Sequence, residues 1–395
     1  MSMRVLTVHN RYQLAGGEDV VFATETTVLL RYGNVVTQYI DDNRRISKMN
    51  PMMVPVRAIW SRETGARLAC VLSDPKPHVA HFHNTFPLIS PSAYYACKRA
   101  GVPVVQTLHN FRLLCPGATL YRKSSICEDC VGRGVPWPGM VRGCWRGSRA
   151  QTAVVAAMLT FHRWLGTWHE KVDIYVALTE FARGKLVEGG LPSDKIVVKP
   201  NFIYPDPGPR ERKGEYVLFV GRLSPEKGIR TLLKAWRRLG GIPLKIVGDG
   251  PLMEEIRTHL GPGLGRGVEA LGRQNREQVL ELMKGARFLV FPSEWYEGFP
   301  MTIVEAFACG VPVITSRLGA MAEIVEDGRT GLHFTAGDPE HLAAKVEWAW
   351  THPKQMAEMG REARREYEAK YTAERNYQML MEIYRLAIER AKGRC

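Results

Sequence analysis

The chain has 395 residues, which is enough for two ordinary domains, each with its own core. Hydrophobic residues make up 45% and charged residues 24%, a globular balance that excludes an extensively disordered or collagen-like chain. Residues 1–205 hold 25 basic and 14 acidic side chains, so they should attract an anion such as nucleic acid, a phospholipid surface or a phosphorylated substrate.

Short β-branched runs alternate with longer helical patterns in the first half of the chain. The alternation begins with a strand at Arg4–Val8, a helix at Glu18–Arg31 and a strand at Val35–Ile40. It predicts parallel β-α-β units and a first domain over residues 1–205. Further predicted strands are Val79–Phe82, Val102–Leu108, Ile174–Leu178 and Ile196–Lys199.

A proline-rich linker is predicted at 206–215, because three prolines between 205 and 209 disfavour both helix and central strand. A second α/β domain is predicted over 216–375, and a cleft is expected between the two domains. Its predicted strands are Tyr216–Val220, Leu244–Val247, Val268–Leu271, Phe288–Phe291, Val311–Thr315 and Leu332–Phe334. Residues 376–395 are predicted to form a helix whose apolar stripe must pack on another surface, with the first domain as the candidate.

Two loops of the second domain carry candidate anion-binding residues. The segment 221–228 (GRLSPEKG) follows a strand and precedes a helix, a position where backbone amides and cations hold phosphate. Arg222 can grip two phosphate oxygens and Lys227 acts as a point charge, although a charged surface loop has the same composition. In the segment 292–300 (PSEWYEGFP), Gly298 permits close backbone approach and Pro300 suits the first turn of a helix at Met301–Cys309.

Glu297 and Glu305 suit the hydroxyls of a sugar better than a phosphate, because carboxylates only accept hydrogen bonds. Glu305 has a plainer alternative as an exposed helix residue. Together with 221–228 and with 306–313 (AFACGVPV), this glutamate pair resembles the retaining GT-B glycosyltransferases of family 4, also called glycosyl transferases group 1. The resemblance covers nearly the whole chain and implies an α/β fold of two Rossmann-like domains facing a cleft.

The resemblance also implies roles for these residues. Arg222 and Lys227 would neutralise the diphosphate of a nucleoside-diphosphate sugar. Glu305 would bind the ribose, and Glu297 the hydroxyls of the donor sugar. The remaining donor-site residues of this domain would be Gly298, Phe299 and Pro300. Because these cations and helix-terminal amides stabilise the leaving diphosphate, we expect no catalytic divalent metal. The family's retention is usually explained by attack on the face that the phosphate leaves, so we expect no protein nucleophile.

The first domain also contains residues that resemble motifs of this family. Gly16 and Gly17 precede a helix, as in the family's glycine loop, and their amides could approach donor phosphate or acceptor. Glu18 beside them suits a helix N-terminus. His109 follows a strand where the family places a histidine near the donor sugar, so it is a candidate catalytic residue. A core or rim role is the simpler interpretation of His81 and His83.

Four of the eight cysteines lie within 30 residues, in a Gly/Pro-rich insertion at about 111–150. They are Cys115, Cys127, Cys130 and Cys144, spaced C-x11-C-x2-C-x13-C. Four thiolates with a central C-x2-C pair suit tetrahedral zinc, which would stabilise a loop with little core. Four unrelated reduced thiols are the alternative.

A helix near Val154–Trp168 has an apolar face edged by aromatic and basic residues, which suits either core packing or a lipid surface. No stretch reaches the roughly 20 apolar residues that cross a bilayer, and no signal-peptide pattern is present. We therefore expect a cytoplasmic protein, with peripheral contact at the inner face of an anionic membrane as a further expectation.

The motifs and the resemblance together predict a retaining hexosyltransferase that moves a sugar from a nucleoside-diphosphate sugar to a glycan acceptor in polysaccharide biosynthesis, with a lipid-linked glycan as one candidate acceptor. A non-catalytic sugar-nucleotide-binding scaffold is the alternative from another class. A phosphorylase or epimerase on the same fold would bind similar phosphates. A nucleic-acid partner is disfavoured because no reader helix or aromatic RNA motif accompanies the cysteines.

Overall fold

The computed structural model describes residues 2–13, 16–212, 214–259 and 267–393. Its contacts divide the chain into two compact units. The first unit comprises Met1–Leu120, Cys127–Asn201 and Asn376–Cys395, and the second comprises Tyr121–Ile126 and Phe202–Arg375. Among the described residues, no helix is both long and apolar enough to cross a membrane.

The first unit is built on a six-stranded parallel sheet with the strand order β2-β1-β3-β4-β7-β8. Its strands are β1 (Arg4–Arg11), β2 (Val35–Asp42), β3 (Val79–Asn84), β4 (Val104–Thr107), β7 (Ile174–Ala177) and β8 (Ile196–Val198). Strands β5 (Tyr121–Arg122) and β6 (Ser125–Ile126) form a separate hairpin that belongs to the second unit, although the sequence predicted residues 1–205 to be one domain. The helices up to Asn201 are α1 (Gly17–Arg31), α2 (Met53–Ile59), α3 (Arg62–Ser73), α4 (Ser92–Arg99), α5 (Trp137–Arg142), α6 (Arg149–Trp164), α7 (Thr167–Glu170) and α8 (Glu180–Glu188).

The second unit repeats this plan with a parallel sheet ordered β11-β10-β9-β12-β13-β14. Its strands are β9 (Tyr216–Val220), β10 (Leu244–Val247), β11 (Val268–Gly272), β12 (Ala286–Phe291), β13 (Val313–Ser316) and β14 (Gly331–Phe334). The helices are α9 (Ile229–Trp236), α10 (Met253–His259), α11 (Arg276–Lys284), α12 (Met301–Ala308), α13 (Gly319–Ile324), α14 (Pro339–Thr351) and α15 (Pro353–Lys370), followed by α16 (Ala373–Lys392), which belongs to the first unit from Asn376 onward.

The apolar stripe of α16 is part of the core of the first unit. Leu380, Tyr384 and Ala387 are buried in one cluster with Val5 and Val176 of the sheet. The side chains recur every three or four residues, so they lie on one face of the helix and cover the sheet.

Sequence and structure differ mainly at strand ends. β1 continues to Arg11, beyond its predicted end at Val8, because it stays paired with β2 as far as Asp42. β4 begins two residues later than predicted, at Val104, since Pro103 lacks the amide that a central strand must donate.

The apolar face of α6 is largely a core face. Val155, Met158 and Leu159 are buried, whereas Phe161 and Trp164 remain exposed. The two aromatic side chains are therefore the part of this helix that is available to a lipid surface.

Candidate active site

The two loops predicted to bind an anion touch each other at the carboxyl ends of neighbouring strands of the second unit. β9 and β12 are paired in the sheet, and a short 3-10 helix at Pro225–Lys227 follows β9. Gly228 has a φ of 71°, and a Cβ there would lie 1.8 Å from the carbonyl oxygen of Pro292. Only glycine fits this contact, which fixes the lysine loop against the glutamate loop.

Lys227, which was predicted to bind the diphosphate, and Glu297, which was predicted to bind the donor sugar, form an ion pair with each other. Nζ of Lys227 donates to Oε1 of Glu297 at 2.6 Å, and Oγ of Ser293 donates to the same oxygen at 2.6 Å. Arg222 is exposed and has no ion-pair partner within the described part of the chain. It can therefore receive an anion without breaking an existing contact.

Glu305 lies in the second turn of α12, whose N-terminus is flanked by Pro300. Burial raises the pKa of Glu305 to about 7, and the charge of Arg276 opposes this only in part. A carboxyl group desolvated in this way gains from hydroxyl donors. Gly298 and Phe299 lie in the loop that leads into this helix.

One glycine turn in this region was missed by the sequence analysis. Gly248 follows β10, and a Cβ there would lie 1.8 Å from the carbonyl oxygen of Gly221. The amide of Leu223 donates to the carbonyl of Asp249 at 2.9 Å. The sequence Gly248-Asp249-Gly250 directly after a predicted strand could have indicated this turn. In the structure the turn packs against the loop that contains Arg222.

In the first unit, Gly16 and Gly17 form an open helix N-terminus. Gly16 precedes α1 with extended backbone, and a Cβ at either glycine would meet no atom within 4 Å. The described residues therefore leave room for a side chain at both positions.

His109 belongs to a buried network that the sequence analysis did not predict. Its Nε2 lies 3.0 Å from Nδ1 of His83, and Nε2 of His83 lies 3.3 Å from Oε1 of Glu25. Lys199 donates to the other oxygen of Glu25 at 3.0 Å. Nδ1 of His81 lies 3.2 Å from the same oxygen of Glu25 as His83. His81 and His83 therefore belong to the same buried network as His109, the candidate catalytic residue.

Glu18 contacts the end of β1 and does more than cap a helix. Oη of Tyr12 donates to Glu18 at 3.0 Å, and burial raises the pKa of this carboxyl to about 8. The charge of Arg112 opposes that shift. The guanidinium of Arg112 is buried between the rings of Phe86 and Trp145, 4.4 and 4.3 Å from their centroids.

A cavity of about 410 Å³ lies in the first unit beside these groups. Its lining is mainly apolar, with Val54 of α2 and Val154 of α6 on its walls, and Arg146 is its one cationic lining residue among those described. Phe86 lines both this cavity and a smaller one that contains His83 and His109. The volume suits a small organic group.

The four clustered cysteines lie near one another in the first unit. Burial raises the pKa of the Cys130 thiol to about 11, with added repulsion from the other three. Those three are Cys115, Cys127 and Cys144. Among the described residues, Glu25, His81 and His83 are the only set of three potential metal ligands whose atoms all lie within 4.8 Å of one another. The cysteine sulfur atoms therefore do not form a closed ligand set.

Glu25, His81 and His83 are also poorly suited to hold a metal ion. A buried Lys199 ammonium already neutralises the carboxylate. A second cation at this place would face that charge at close range.

Two family models cover nearly all of the chain. The model described as Glycosyltransferase Family 4 matches residues 4–207, and the one described as Glycosyl transferases group 1 matches residues 203–366. The first covers more than half of the chain. The protein therefore belongs to glycosyltransferase family 4, as its motifs predicted.

Curated relatives share parts of the sequence. An uncharacterized glycosyltransferase of Methanocaldococcus jannaschii is 38% identical over 129 residues, which are 33% of this chain and 36% of that protein. The D-rhamnosyltransferase WbpZ of Pseudomonas aeruginosa is 34% identical over 167 residues, 42% of this chain and 44% of that protein. Each match spans less than half of the relative's length.

Solved structures confirm the predicted GT-B fold. HepE from Anabaena, in complex with UDP-glucose, superposes with a TM-score of 0.67 at 16% identity, over 96% of this chain and 98% of that one. Sucrose-phosphate synthase from Thermosynechococcus elongatus gives a TM-score of 0.69 at 16% identity, over 97% and 98%.

Proposed function

We propose that the protein is a retaining hexosyltransferase that moves a sugar from a nucleoside-diphosphate sugar to a hydroxyl of a glycan acceptor. The main support for this proposal is the pair of loops at the ends of β9 and β12, which are in close contact at Gly228. They place a free guanidinium, an ammonium and two carboxyl groups on one edge of one sheet. A diphosphate with a sugar on either side needs this combination of charges.

In this proposal, Arg222 and Lys227 act on the diphosphate leaving group, where negative charge develops. The diphosphate gains negative charge as the glycosidic bond breaks, and Arg222 and Lys227 stabilise that charge together with free amides near Phe299. Glu297 turns to the hydroxyls of the sugar once phosphate replaces it beside Lys227. Glu305 accepts from the ribose. The amide of Gly17 is assigned to phosphate or acceptor, because the amide of Gly16 already donates to Oδ2 of Asp19 at 2.8 Å.

Turnover of nucleotide sugars, without added divalent metal, tests the proposal. A screen of nucleoside-diphosphate sugars, with mass analysis of the products, separates transfer from phosphorolysis and epimerisation. Arg222→Ala and Lys227→Ala should each lower turnover by about 100-fold, as loss of one charge-stabilising donor does. Arg238→Ala is the matched control, because that exposed arginine pairs with Glu340 on the surface of the same unit. Near-normal turnover in both site variants contradicts the assignment.

The acceptor is proposed to be an anionic, lipid-linked glycan. Residues 1–205 carry a basic excess, and the 410 Å³ cavity offers apolar walls with a cation at Arg146. Exposed apolar side chains lie on the helices that wall it, including Val56 on α2 and Trp164 on α6, which is 79% exposed. A surface of this kind suits the anionic face of a membrane.

Vesicle sedimentation tests the membrane contact. Binding should be stronger to anionic than to neutral vesicles and should weaken with salt, because charge attraction is screened within roughly 8–10 Å at physiological ionic strength. Trp164→Ala should reduce binding, whereas Trp348→Ala in the second unit should not. Val154→Trp, which fills the cavity, should impair acceptor use and leave donor hydrolysis intact. Equal binding to both vesicle types contradicts the membrane contact.

A structural zinc ion held by the four cysteines is also proposed. Its support is the electrostatic proximity of the thiols and the backbone around them. Outside the two-residue turn of the β5–β6 hairpin, three non-glycine residues of the insertion have positive φ, at Ala118, Leu120 and Arg146. Such conformations cost about 1 kcal/mol each and persist only where the surroundings enforce them. Zinc would supply that restraint after the thiol side chains rotate toward one centre.

Elemental analysis of metal-replete protein tests the zinc proposal. One zinc per chain is expected, with loss in Cys127→Ser and Cys130→Ser and retention in Cys70→Ser, whose thiol is exposed elsewhere. Chelation should lower the melting temperature and leave nucleotide affinity unchanged. Absence of zinc, or zinc unaffected by these changes, removes the proposal.

A further inference from the structure

A buried ion pair lies next to the contact between His83 and His109, and the roles given above to the donor-binding residues do not include it. Glu25 on α1 and Lys199 after β8 are joined at 3.0 Å, and their side chains are 2% and 1% exposed. Burial alone would raise the pKa of Glu25, but Lys199 and the neighbouring histidines hold it well below its ordinary value. Glu25 is therefore a carboxylate at neutral pH, and a carboxylate can only accept hydrogen bonds.

The charge on Glu25 decides where the proton of His83 resides. Burial lowers the pKa of His83 to about 4, so its ring is neutral and carries a single N–H. The ring presents Nε2 to Glu25 at 3.3 Å and Nδ1 to His109 at 3.0 Å. Oε1 of Glu25 makes no hydrogen bond in the described part of the chain, so it acts on His83 through its charge. A negative charge 3.3 Å from Nε2, with no proton to give, places the N–H of His83 on Nε2. Nδ1 of His83 is left as an acceptor.

The tautomer of His83 in turn determines which nitrogen of His109 carries the proton. Burial lowers the pKa of His109 well below its ordinary value, so this ring is also neutral. Its Nε2 faces the bare Nδ1 of His83, and a hydrogen bond there requires the proton on Nε2 of His109. Nδ1 of His109 is then an unprotonated acceptor, and it has no hydrogen-bond partner anywhere in the described part of the chain. The ring borders the small cavity shared with Asn84 and Phe86.

The rest of the network keeps Glu25 in place. His81 is 3.2 Å from Glu25 through Nδ1, and its two ring nitrogens also contact Tyr384 at 2.8 Å and Thr107 at 2.7 Å. Burying an ion pair costs desolvation energy that apolar side chains of similar size would avoid. Packing alone therefore does not account for charges at this position.

We propose that Glu25, held ionised by Lys199, fixes the tautomers of His83 and His109 so that Nδ1 of His109 accepts a hydrogen bond from a hydroxyl of the sugar substrate. The tautomer assignment stands on this chain's geometry, and the hydroxyl contact rests on the proposed function. Glu25, Lys199 and His83 are positioning residues that act through His109.

Glu25→Gln provides the sharpest perturbation, because glutamine has nearly the same shape. The amide oxygen should take the bond from Lys199, which can only donate, and this turns the NH₂ group toward His83. His83 must then accept through Nε2 and carry its proton on Nδ1. His109 must in turn accept through Nε2 and carry its proton on Nδ1, so the substitution inverts the tautomers of both rings.

Histidine-selective ¹⁵N NMR of the full chain reads these tautomers directly. His83→Asn and His109→Asn assign the two sets of signals. In the wild type we expect protonated Nε2 and bare Nδ1 in both rings, and in Glu25→Gln the reverse. Asp173→Asn is the control, because Asp173 is a buried carboxylate paired with Lys98 at 2.6 Å outside this network. Bare Nε2 on His109 in the wild type, or unchanged tautomers in a folded Glu25→Gln protein, overturns the assignment.

Kinetics test the contact with the sugar. Glu25→Gln should lower kcat/KM for the donor by about 10-fold through loss of one hydrogen bond, while Asp173→Asn should leave it unchanged. Inverted tautomers with unchanged kcat/KM would refute the hydroxyl contact alone. A wild-type chain with the expected tautomers and no turnover of any nucleotide sugar would refute the proposed function and leave the tautomer assignment intact.

Discussion

Donor binding should depend on pH through Glu305. Burial raises the pKa of this carboxyl to about 7, and its proposed role requires the ionised form, which accepts hydrogen bonds from the ribose. The group is charged above pH 7 and becomes neutral as the pH falls through that value. The affinity for a nucleotide sugar should therefore fall toward acid pH.

The magnitude follows from the fraction of ionised Glu305. If only the ionised form binds and the bound carboxylate stays charged, the dissociation constant should rise about 90-fold between pH 8 and pH 5, with half of the carboxyl protonated near pH 7. An intact nucleotide sugar is the appropriate ligand, because its diphosphate diester does not titrate in this range.

Isothermal titration calorimetry at half-unit steps between pH 5 and 8 measures this dependence, with a thermal melt at each pH to confirm that the protein is folded. Glu305→Gln should bind more weakly at pH 8 and lose most of the pH dependence. If Glu305→Gln keeps the wild-type pH profile, another group is responsible and the reasoning is refuted.

Three further predictions concern single side chains. Gly228→Ala should lower the melting temperature and abolish nucleotide binding, because a Cβ would lie 1.8 Å from Pro292 O; a normal melt and normal calorimetric titration would contradict this. Gly17→Ala should keep wild-type stability, since its Cβ meets no atom of the described residues within 4 Å, yet lower turnover by 10-fold or more if phosphate approaches that amide; unchanged turnover would exclude the approach. Tyr384→Ala should reduce the free energy of unfolding by about 3–5 kcal/mol, measured in urea, because the ring is fully buried; a loss below 1 kcal/mol would mean that α16 contributes little to the core.

Local sequence determined the elements and the loops of the second unit. β9 and β10 have the bounds that their β-branched runs predicted, and the two loops that contain Arg222 and Glu297 follow strands as expected. These features depend on neighbouring residues, through side-chain periodicity and the backbone preferences of glycine and proline. The motifs likewise identified the family before any fold was known.

The partners of the site residues were decided by the tertiary structure. Lys227 and Glu297 are 70 residues apart in the chain, Glu25 and Lys199 are 174 apart, and His81 and Tyr384 are 303 apart. A sequence pattern gives a strand its exposed and buried faces, but parallel sheets join strands that are distant in the chain, so sheet order decides which side chains meet. The positions of Arg222 and His109 could therefore be predicted, whereas the ion pair that holds Lys227 and the hydrogen bonds that orient His109 arise only when the strands are ordered in their sheets.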